Sequence, residues 1–335
     1  MSIKMNTDDY KDASSKLMKR VVYNRFGGPE VLEIQKTTIP QVSKGEVLVR
    51  MFATSINGGD LNVRKGISNK KSSLLSKFPK TIGQDVVGIV DKLGPGVTDF
   101  KVGDMVWGNT TTSTNATAEY VVINVNKLSL MPSEISPIEA AALPCAGVTA
   151  LVALVDKGNI KAGDRVLIRG AGGVGIFAVQ IAKALGAHVT VLASKSTIEA
   201  VKKYGADEAF DYRKTSPKEL ESFDIIFDTA GGELEEFRKK LKASGKLLTI
   251  AFDVEKPIRG ILRVILSARY GQHRTRLVIA FPNRKNLSHL AQLVNNGDIV
   301  PNINSIYPME RIVEAHRHAE NRGILGKIII TISQP

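Results

Sequence analysis

Apolar and polar positions follow two different rhythms along this chain. Over residues 18–130 the apolar residues form short runs that turn signals such as Gly27-Gly28-Pro29 and Gly94-Pro95-Gly96 interrupt. This pattern predicts a β-rich partial barrel rather than a layered α/β unit. Its predicted strands are Arg20–Tyr23, Leu32–Lys36, Glu46–Ala53, Val86–Lys92, Met105–Gly108 and Ala118–Ile123.

Beyond residue 135, predicted strands and helices alternate as far as about residue 281, which indicates a parallel sheet covered on both faces. The predicted helices are Ser136–Leu143, Thr149–Lys157, Val174–Leu185, Thr197–Tyr204 and Leu234–Leu241. The predicted strands are Gly163–Arg169, His188–Ala193, Glu208–Asp211, Phe223–Asp228 and Lys246–Ala251. Residues 286–296 and 308–321 are predicted helices. A last strand at Lys327–Ile332 is expected to return to the β-rich part.

The turn at Gly170–Gly175 carries the strongest chemical signal in the sequence. It follows a strand, opens a helix and leads to a second strand, which is the context that a dinucleotide-binding fingerprint requires. Glycines let the backbone approach a pyrophosphate, and the helix directs free N–H groups at the anion. The predicted contacts are Ala171, Gly172, Gly173, Val174 and Gly175.

The end of the second strand selects between the two nicotinamide cofactors. NAD sites usually carry Asp or Glu there to hold the ribose 2′-hydroxyl, whereas this strand ends Ala193-Ser194-Lys195 without a carboxylate. Ser194 can donate to a phosphate and Lys195 supplies positive charge. The sequence therefore predicts NADP(H) as the cofactor.

Composition narrows the class of protein. The chain has 335 residues, 43% hydrophobic and 24% charged, with no uninterrupted apolar run long enough to span a membrane. Its single cysteine, Cys145, excludes internal disulfides and cysteine-based zinc sites, and it fits a reducing, cytoplasmic compartment. We expect no metal site. Residues 1–17 are polar, do not resemble a targeting peptide and are predicted to form a flexible extension.

The net charge is +13, and charge is spread along the chain apart from one segment, Lys256–Lys285, which has eight Lys or Arg and no acid. Apolar residues recur there at helical spacing, so one interpretation is a helix with a buried face and a solvated basic face. The other is peripheral contact with an anionic membrane or a phosphate-bearing ligand. The first is favoured, and nucleic acid is disfavoured as a partner.

Several stretches of the sequence together match a known family pattern. They include Phe26–Leu32, Gly83–Gly88, Phe100–Asp104, Ala140–Pro144, Gly147–Ala150, Tyr204–Asp207 and Gly326-Lys327. With these stretches the chain resembles the zinc-independent quinone oxidoreductase and ζ-crystallin group of the medium-chain dehydrogenase/reductase superfamily, nearest to the subgroup that contains enone reductases and the reticulon-4-interacting protein. The resemblance implies a Rossmann doubly wound parallel sheet over residues 144–281 and a GroES-like β-rich catalytic domain over 18–143 and 282–335.

The resemblance also implies roles for individual positions. Asn57 matches an asparagine that lines the nicotinamide pocket, in a pattern that continues through Asp60, Asn62 and Arg64. Asn62 and Arg64 are assigned to the substrate pocket. The remaining cofactor contacts that it implies are Thr149, Ser194, Lys195, Tyr212, Thr229, Ala230, Ala251 and Phe252.

Departures from the family pattern shape the functional hypothesis. Position 62 holds Asn in place of the family's Tyr or Lys, and no tyrosine lies at residues 66–69, which argues against thioester reduction. We therefore predict NADPH-dependent hydride transfer to a quinone or an α,β-unsaturated carbonyl, with charge on oxygen met by donors such as Asn57. The alternative is a catalytically weak nucleotide-fold protein that binds RNA or an anionic membrane. The family resemblance implies a homodimer.

Overall fold

The computed structural model describes residues 16–67, 77–111, 113–250, 275–321 and 323–334. Within those ranges, no helix is long and apolar enough to cross a membrane. Three predictions fall partly or wholly outside the described residues. They are the extension over residues 1–17, the cofactor contacts Ala251 and Phe252, and most of the basic segment Lys256–Lys285.

The first half of the chain forms antiparallel β-structure, as predicted. β3 is the central strand and pairs antiparallel with β5 and with β7. Nearly every β3 side chain is buried, because sheet and helices cover it on both sides. The strands are β1 (Leu17–Tyr23), β2 (Leu32–Thr38), β3 (Glu46–Ser55), β4 (Lys80–Thr81), β5 (Asp85–Leu93), β6 (Met105–Asn109), β7 (Tyr120–Asn124) and β8 (Leu128–Leu130).

A six-stranded parallel sheet follows, in the strand order β11-β10-β9-β12-β13-β14. This is the order of the Rossmann fold, in which the winding direction reverses between β9 and β12. Ligands of such sheets bind in the crevice at the carboxyl ends of these two strands. The strands are β9 (Arg165–Arg169), β10 (His188–Ala193), β11 (Glu208–Asp211), β12 (Phe223–Asp228), β13 (Leu241–Thr249) and β14 (Thr275–Leu277).

The end of the chain returns to the β-rich sheet, as expected. β15 (Ile303–Pro308) pairs parallel with β16 (Lys327–Thr331), and β16 pairs antiparallel with β3. β15 was not predicted. Its exposed and half-buried residues alternate at the sheet edge and give little apolar signal.

Eight α-helices complete the described part of the chain: α1 (Gly58–Arg64), α2 (Pro137–Ala140), α3 (Pro144–Leu151), α4 (Gly173–Ala184), α5 (Ile198–Lys203), α6 (Leu234–Arg238), α7 (Arg284–Asn295) and α8 (Ile312–Ala319). α3 continues as a π-helix over Val152–Gly158, so the helix predicted from Thr149 starts five residues earlier. The predicted capping box of α2 is present, with Ser136 and Glu139 bonded reciprocally.

Two more predicted helix boundaries were wrong. The helix predicted over Ser136–Leu143 ends at Ala140. The helix expected over Leu234–Leu241 ends at Arg238, and the strand expected at Lys246–Ala251 begins at Leu241. The buried Leu241 pairs with Phe223 of β12, and the backbone N–H of Phe223 donates to the Lys240 carbonyl at 2.8 Å. Sheet pairing therefore overrides the helical preference at these positions.

A continuous apolar core joins the two sheet systems. It contains Ala53, Val87 and Trp107 from the β-rich part together with buried residues of α3, α4 and the parallel sheet. Because these side chains pack in one cluster, the loop after β3 lies against the amino-terminal end of α4. That junction is where the candidate site lies.

Candidate functional site

A cleft with a volume of about 290 Å³ lies at this junction. Its walls come from four places: the β3–α1 loop, the first turn of α3, the start of α4, and the segment from the end of α8 into β16. Asn57, Gly173 and Val174, which the sequence analysis singled out, line the cleft together. The other lining residues are Ile56, Gly58, Ala146, Ala319, Asn321, Gly323, Ile324, Gly326, Lys327 and Ile328.

The glycine turn has the geometry that close approach to an anion needs. Gly170 adopts a φ of +95°, and a Cβ on Gly175 would lie 1.9 Å from the Gly170 carbonyl oxygen, so neither position accepts a side chain. The Thr229 hydroxyl donates to the carbonyls of Arg169 at 2.8 Å and Gly170 at 3.2 Å, which fixes the turn from β12. By contrast, a Cβ on Gly172 would meet nothing within 4 Å, so the space above the turn is open.

Helix α4 begins in this open space. Its N-cap is Gly172, which has no side chain to accept a bond from the first turn. The first backbone N–H groups of a helix have no intrahelical acceptor and carry partial positive charge. Residues 172–175 therefore form a cradle that fits the pyrophosphate of a dinucleotide.

A second polar group lies at the carboxyl end of the neighbouring strand β10. The Ser194 hydroxyl is 3.0 Å from the hydroxyls of Ser196 and Thr197, and Lys195 is exposed beside them. The backbone N–H of Tyr212 donates to the Ala193 carbonyl at 3.1 Å, which brings the half-exposed Tyr212 ring to the same edge. These hydroxyls and this cation form a surface that suits a phosphate.

Arg213 adds a cation that the sequence analysis missed. Its Nε donates to the Tyr212 hydroxyl at 3.1 Å, and its guanidinium lies 5.4 Å from the centre of the Tyr212 ring. The signal was available in the sequence, since Arg213 directly follows Tyr212, but adjacency alone does not show that the two side chains interact.

Asn57, another lining residue of the cleft, contacts two charged side chains. The Lys327 Nζ donates to Asn57 Oδ1 at 2.6 Å and to the Ile56 carbonyl at 2.8 Å. The Asn57 Nδ2 donates to Asp85 Oδ2 at 2.8 Å and lies 3.5 Å from the Ser55 carbonyl. Among the described residues, these two acceptors account for two of the three Lys327 N–H groups.

Lys327 is the main site residue that sequence reasoning missed. Only 4% of its surface is exposed, although lysine is rarely buried without a partner. A Cβ added to Gly173 would lie 2.8 Å from the Lys327 Cδ, so the aliphatic part of the lysine side chain crosses the glycine turn. A lysine that opens an otherwise apolar strand, Ile328–Ile330, was the available signal.

Two titratable groups behind the wall are shifted by burial. Asp60 accepts the backbone N–H of Asn57 at 2.8 Å, and loss of solvent raises its pKa to about 7. Burial, with a further contribution from the charge of Asp85, raises the pKa of Cys145 to about 12. Cys145 is therefore a protonated thiol near neutral pH and is not a reactive nucleophile.

Several predicted site residues are not among the cleft-lining residues. The Thr149 hydroxyl donates to the Cys145 carbonyl of its own helix at 2.7 Å. Asn62 is on α1 outside the lining set, and Arg64 is fully buried in an ion pair with Glu320. Thr229 and Ala230 follow β12 beside the glycine turn.

The described residues do not fit a catalytic zinc. No group of three or more His, Cys, Asp or Glu side chains among them could hold a metal ion. Asp85, the carboxylate nearest the cleft wall, uses both oxygens to accept hydrogen bonds from four protein groups.

Comparison with known proteins agrees with this geometry. Two protein families match parts of the chain: the alcohol dehydrogenase GroES-like domain over residues 43–133 and the zinc-binding dehydrogenase family over residues 204–330. Among solved structures, the quinone oxidoreductase from Coxiella burnetii superposes with a TM-score of 0.86 at 30% identity. That match covers 95% of this chain and all of the other.

Curated relatives of known type cover almost the whole sequence. The mitochondrial NAD(P)H oxidoreductase RTN4IP1 of Homo sapiens is 33% identical over 95% of this chain and 90% of its own length. The chloroplastic NADPH-dependent alkenal/one oxidoreductase of Arabidopsis thaliana is 31% identical over 95% of this chain and 81% of its own.

Fold, site and relatives together define an oxidoreductase of the medium-chain dehydrogenase/reductase superfamily. Within the superfamily, the chain belongs to the group of the quinone oxidoreductases and NAD(P)H-dependent alkenal reductases.

Proposed function

We propose that this protein uses NADPH to reduce a quinone or the carbon–carbon double bond of an α,β-unsaturated carbonyl. The observation that carries the proposal is the cleft itself. Its lining brings Gly173, at the open glycine turn, together with Asn57 and Lys327. Bound NADPH would supply the hydride, and the protein would orient the acceptor and exclude water.

The choice of NADPH over NADH rests on the end of β10. Ser194, Lys195 and the Tyr212–Arg213 pair offer hydroxyls and two cations at the position of the adenosine ribose. A 2′-phosphate would be attracted to these groups.

On the cleft wall, Lys327 and Asn57 have distinct tasks. When hydride reaches the acceptor, negative charge develops on its oxygen, and a preorganised donor stabilises that charge. Both polar atoms of the Asn57 amide already have protein partners, so Lys327 is the better donor. Asn57 then holds the ammonium in place, and solvent supplies the proton that completes the reduction.

We propose that the reaction needs no metal. The Asp85 carboxylate is saturated by hydrogen bonds from four protein groups, and no group of three or more His, Cys, Asp or Glu side chains among the described residues could hold a metal ion. The Lys327 ammonium would stabilise the negative charge on the substrate oxygen, as a Lewis acid does in metal-dependent enzymes.

We also propose a domain organisation. Residues 144–281 form the dinucleotide-binding domain, and residues 18–143 with 282–335 form the catalytic domain. Within the described residues, the outer edge of β14 pairs with no further strand, which is compatible with a homodimer that light scattering would detect. The lone cysteine supports a reducing compartment such as the cytoplasm. The mitochondrial and chloroplastic relatives make fluorescence localisation the test.

The deciding experiment is oxidation of NADPH at 340 nm with a panel of quinones, alkenals and enones. Saturable turnover, with product analysis showing a hydroquinone or a saturated carbonyl, supports the proposal. An absence of turnover across the panel, despite tight NADPH binding, would refute it.

A further inference from the structure

Asp85 is a buried charged side chain whose two carboxylate oxygens are both occupied by hydrogen bonds. None of its surface is exposed, and its carboxylate accepts four hydrogen bonds. Oδ2 accepts from the Ser55 hydroxyl at 2.5 Å and from Asn57 Nδ2 at 2.8 Å. Oδ1 accepts from Asn109 Nδ2 at 2.9 Å and from the Cys145 backbone N–H at 2.8 Å.

These four donors come from separate parts of the chain. Ser55 ends β3, Asn57 lies in the loop before α1, Asn109 ends β6, and Cys145 is in the first turn of α3. Three of the donors are nitrogen groups that can only donate, so the contacts suit a carboxylate anion. A buried anion is costly unless it is fully bonded, and here the helix N-terminus and four hydrogen bonds offset that cost.

The direction of the Asn57 amide follows from this arrangement. Asp85 requires Nδ2 on one side, and the Lys327 ammonium requires Oδ1 on the other. A flipped amide would place its oxygen against a carboxylate and its NH₂ against an ammonium, so both charged neighbours favour the same orientation. The charges at the two ends of the amide are therefore coupled.

We propose that Asp85 is a positioning residue that orients Asn57 and, through it, sets the place of the Lys327 ammonium at the cleft wall. Asp85 does not line the cleft, and it acts on the substrate oxygen only through these two side chains. The catalytic part of this inference rests on the proposed reductase function, whereas the geometric part does not.

The test uses the isosteric change Asp85→Asn. It removes the charge and puts an NH₂ donor in place of one of the two carboxylate oxygens that now accept hydrogen bonds. With NADPH saturating, and 9,10-phenanthrenequinone and 3-penten-2-one as acceptors, we expect kcat to fall about 10-fold to 100-fold, the range expected when a catalytic group is displaced. The NADPH dissociation constant, measured by fluorescence, should change less than about 3-fold because the pyrophosphate cradle is untouched.

Ser55→Ala is the matched control. It also removes one hydrogen bond from Asp85 but leaves Asp85, Asn57 and Lys327 in place, so kcat should stay within about 2-fold. If Asp85 only stabilises the fold, both variants lower the melting temperature while kcat below that temperature is unchanged. That outcome would overturn the proposal.

The exchanged double variant, Asn57→Asp with Asp85→Asn, provides a rescue experiment. The new carboxylate at position 57 would accept from Lys327. The new amide at position 85 would donate to that carboxylate, while its oxygen accepts from Asn109 and Cys145. Because the partners remain matched, we expect kcat to recover at least about 5-fold over Asp85→Asn alone. Failure of the exchanged protein to fold or to recover would contradict the inference.

A crystal structure of Asp85→Asn separates this inference from the proposed function. We expect Asn57 to rotate and Lys327 Nζ to leave its 2.6 Å contact with Asn57 Oδ1. Unchanged positions of both side chains would overturn the inference even in an active enzyme. Displaced side chains in a protein that reduces no acceptor would instead count against the reductase assignment alone.

Discussion

Reversal of the charge at Lys195 tests the assignment of the 2′-phosphate site. Lys195 is exposed at the end of β10, beside the Ser194 hydroxyl, and no described carboxylate pairs with it. Lys195→Glu should therefore leave the fold intact. It should weaken NADPH binding, because a cation that attracts the phosphate becomes an anion that repels it.

The size of the effect follows from Coulomb's law. Two unit charges at a contact distance of ~4 Å in water interact by about 1 kcal/mol, and a phosphate monoester carries a charge of about −1.5 to −2. Changing +1 to −1 therefore alters the interaction by about 3 to 4 kcal/mol before screening. Salt at physiological strength reduces this to about 2 kcal/mol, which is about 30-fold in the dissociation constant.

The measurement is titration of cofactor fluorescence with NADPH and with NADH at two salt concentrations. NADH lacks the 2′-phosphate, so its affinity should change less than about 3-fold, and the NADPH effect should shrink as salt rises. Lys203→Glu, which makes the same charge change at the end of α5, is the control. Equal losses for NADPH and NADH, or an equal loss in the control, would refute the assignment.

Four further variants test the rest of the site. Lys327→Met keeps the apolar stem but removes the buried cation, and steady-state assays should show kcat/KM lowered about 100-fold, as for loss of an oxyanion donor. Gly175→Ala forces a Cβ to 1.9 Å from the Gly170 oxygen and should lower the melting temperature, whereas Gly172→Ala should leave it unchanged and weaken NADPH binding in fluorescence titrations. Because burial raises the pKa of Asp60 to about 7 from an ordinary 3.8, folded protein keeps a proton that unfolded protein releases, and stability falls as pH rises through this window. Urea unfolding of Asp60→Asn should lack that fall and gain about 2 kcal/mol on the native protein between pH 5.5 and 8.

The glycine turn and the elements on either side of it were predictable because their signals are local in sequence. A strand, the turn Gly170–Gly175 and helix α4 occupy consecutive positions, and each requires residue types that the sequence displays. Helix α1 was harder to predict, since it opens with Gly58 and Gly59, which disfavour helices. It forms because the buried carboxylate of Asp60 accepts the backbone N–H of Asn57, a contact that burial enforces.

The part of the site formed by Asp85, Asn57 and Lys327 depends on contacts between residues far apart in the sequence, which no local pattern predicts. Lys327 meets Asn57 across 270 positions of sequence, and Asp85 meets Cys145 across 60. Each of these residues alone suggests an ordinary surface or turn residue. The roles of Lys327 and Asp85 follow only from their burial. A buried charge without a partner is costly, so each of them needs its hydrogen-bonding partners close by.

Substitutions in these two parts of the site should have different effects. In the proposed site, cofactor affinity depends on the backbone of one short segment and on exposed side chains after β10, so substitutions there should act on binding and leave hydride transfer intact. The ammonium at the cleft wall depends on a chain of side chains, Asp85 to Asn57 to Lys327, that connects β5 and β16 of the seven-stranded sheet through the loop after β3. Disturbance of any member should act on kcat and on folding together, because the same bonds that satisfy the buried charges also orient them.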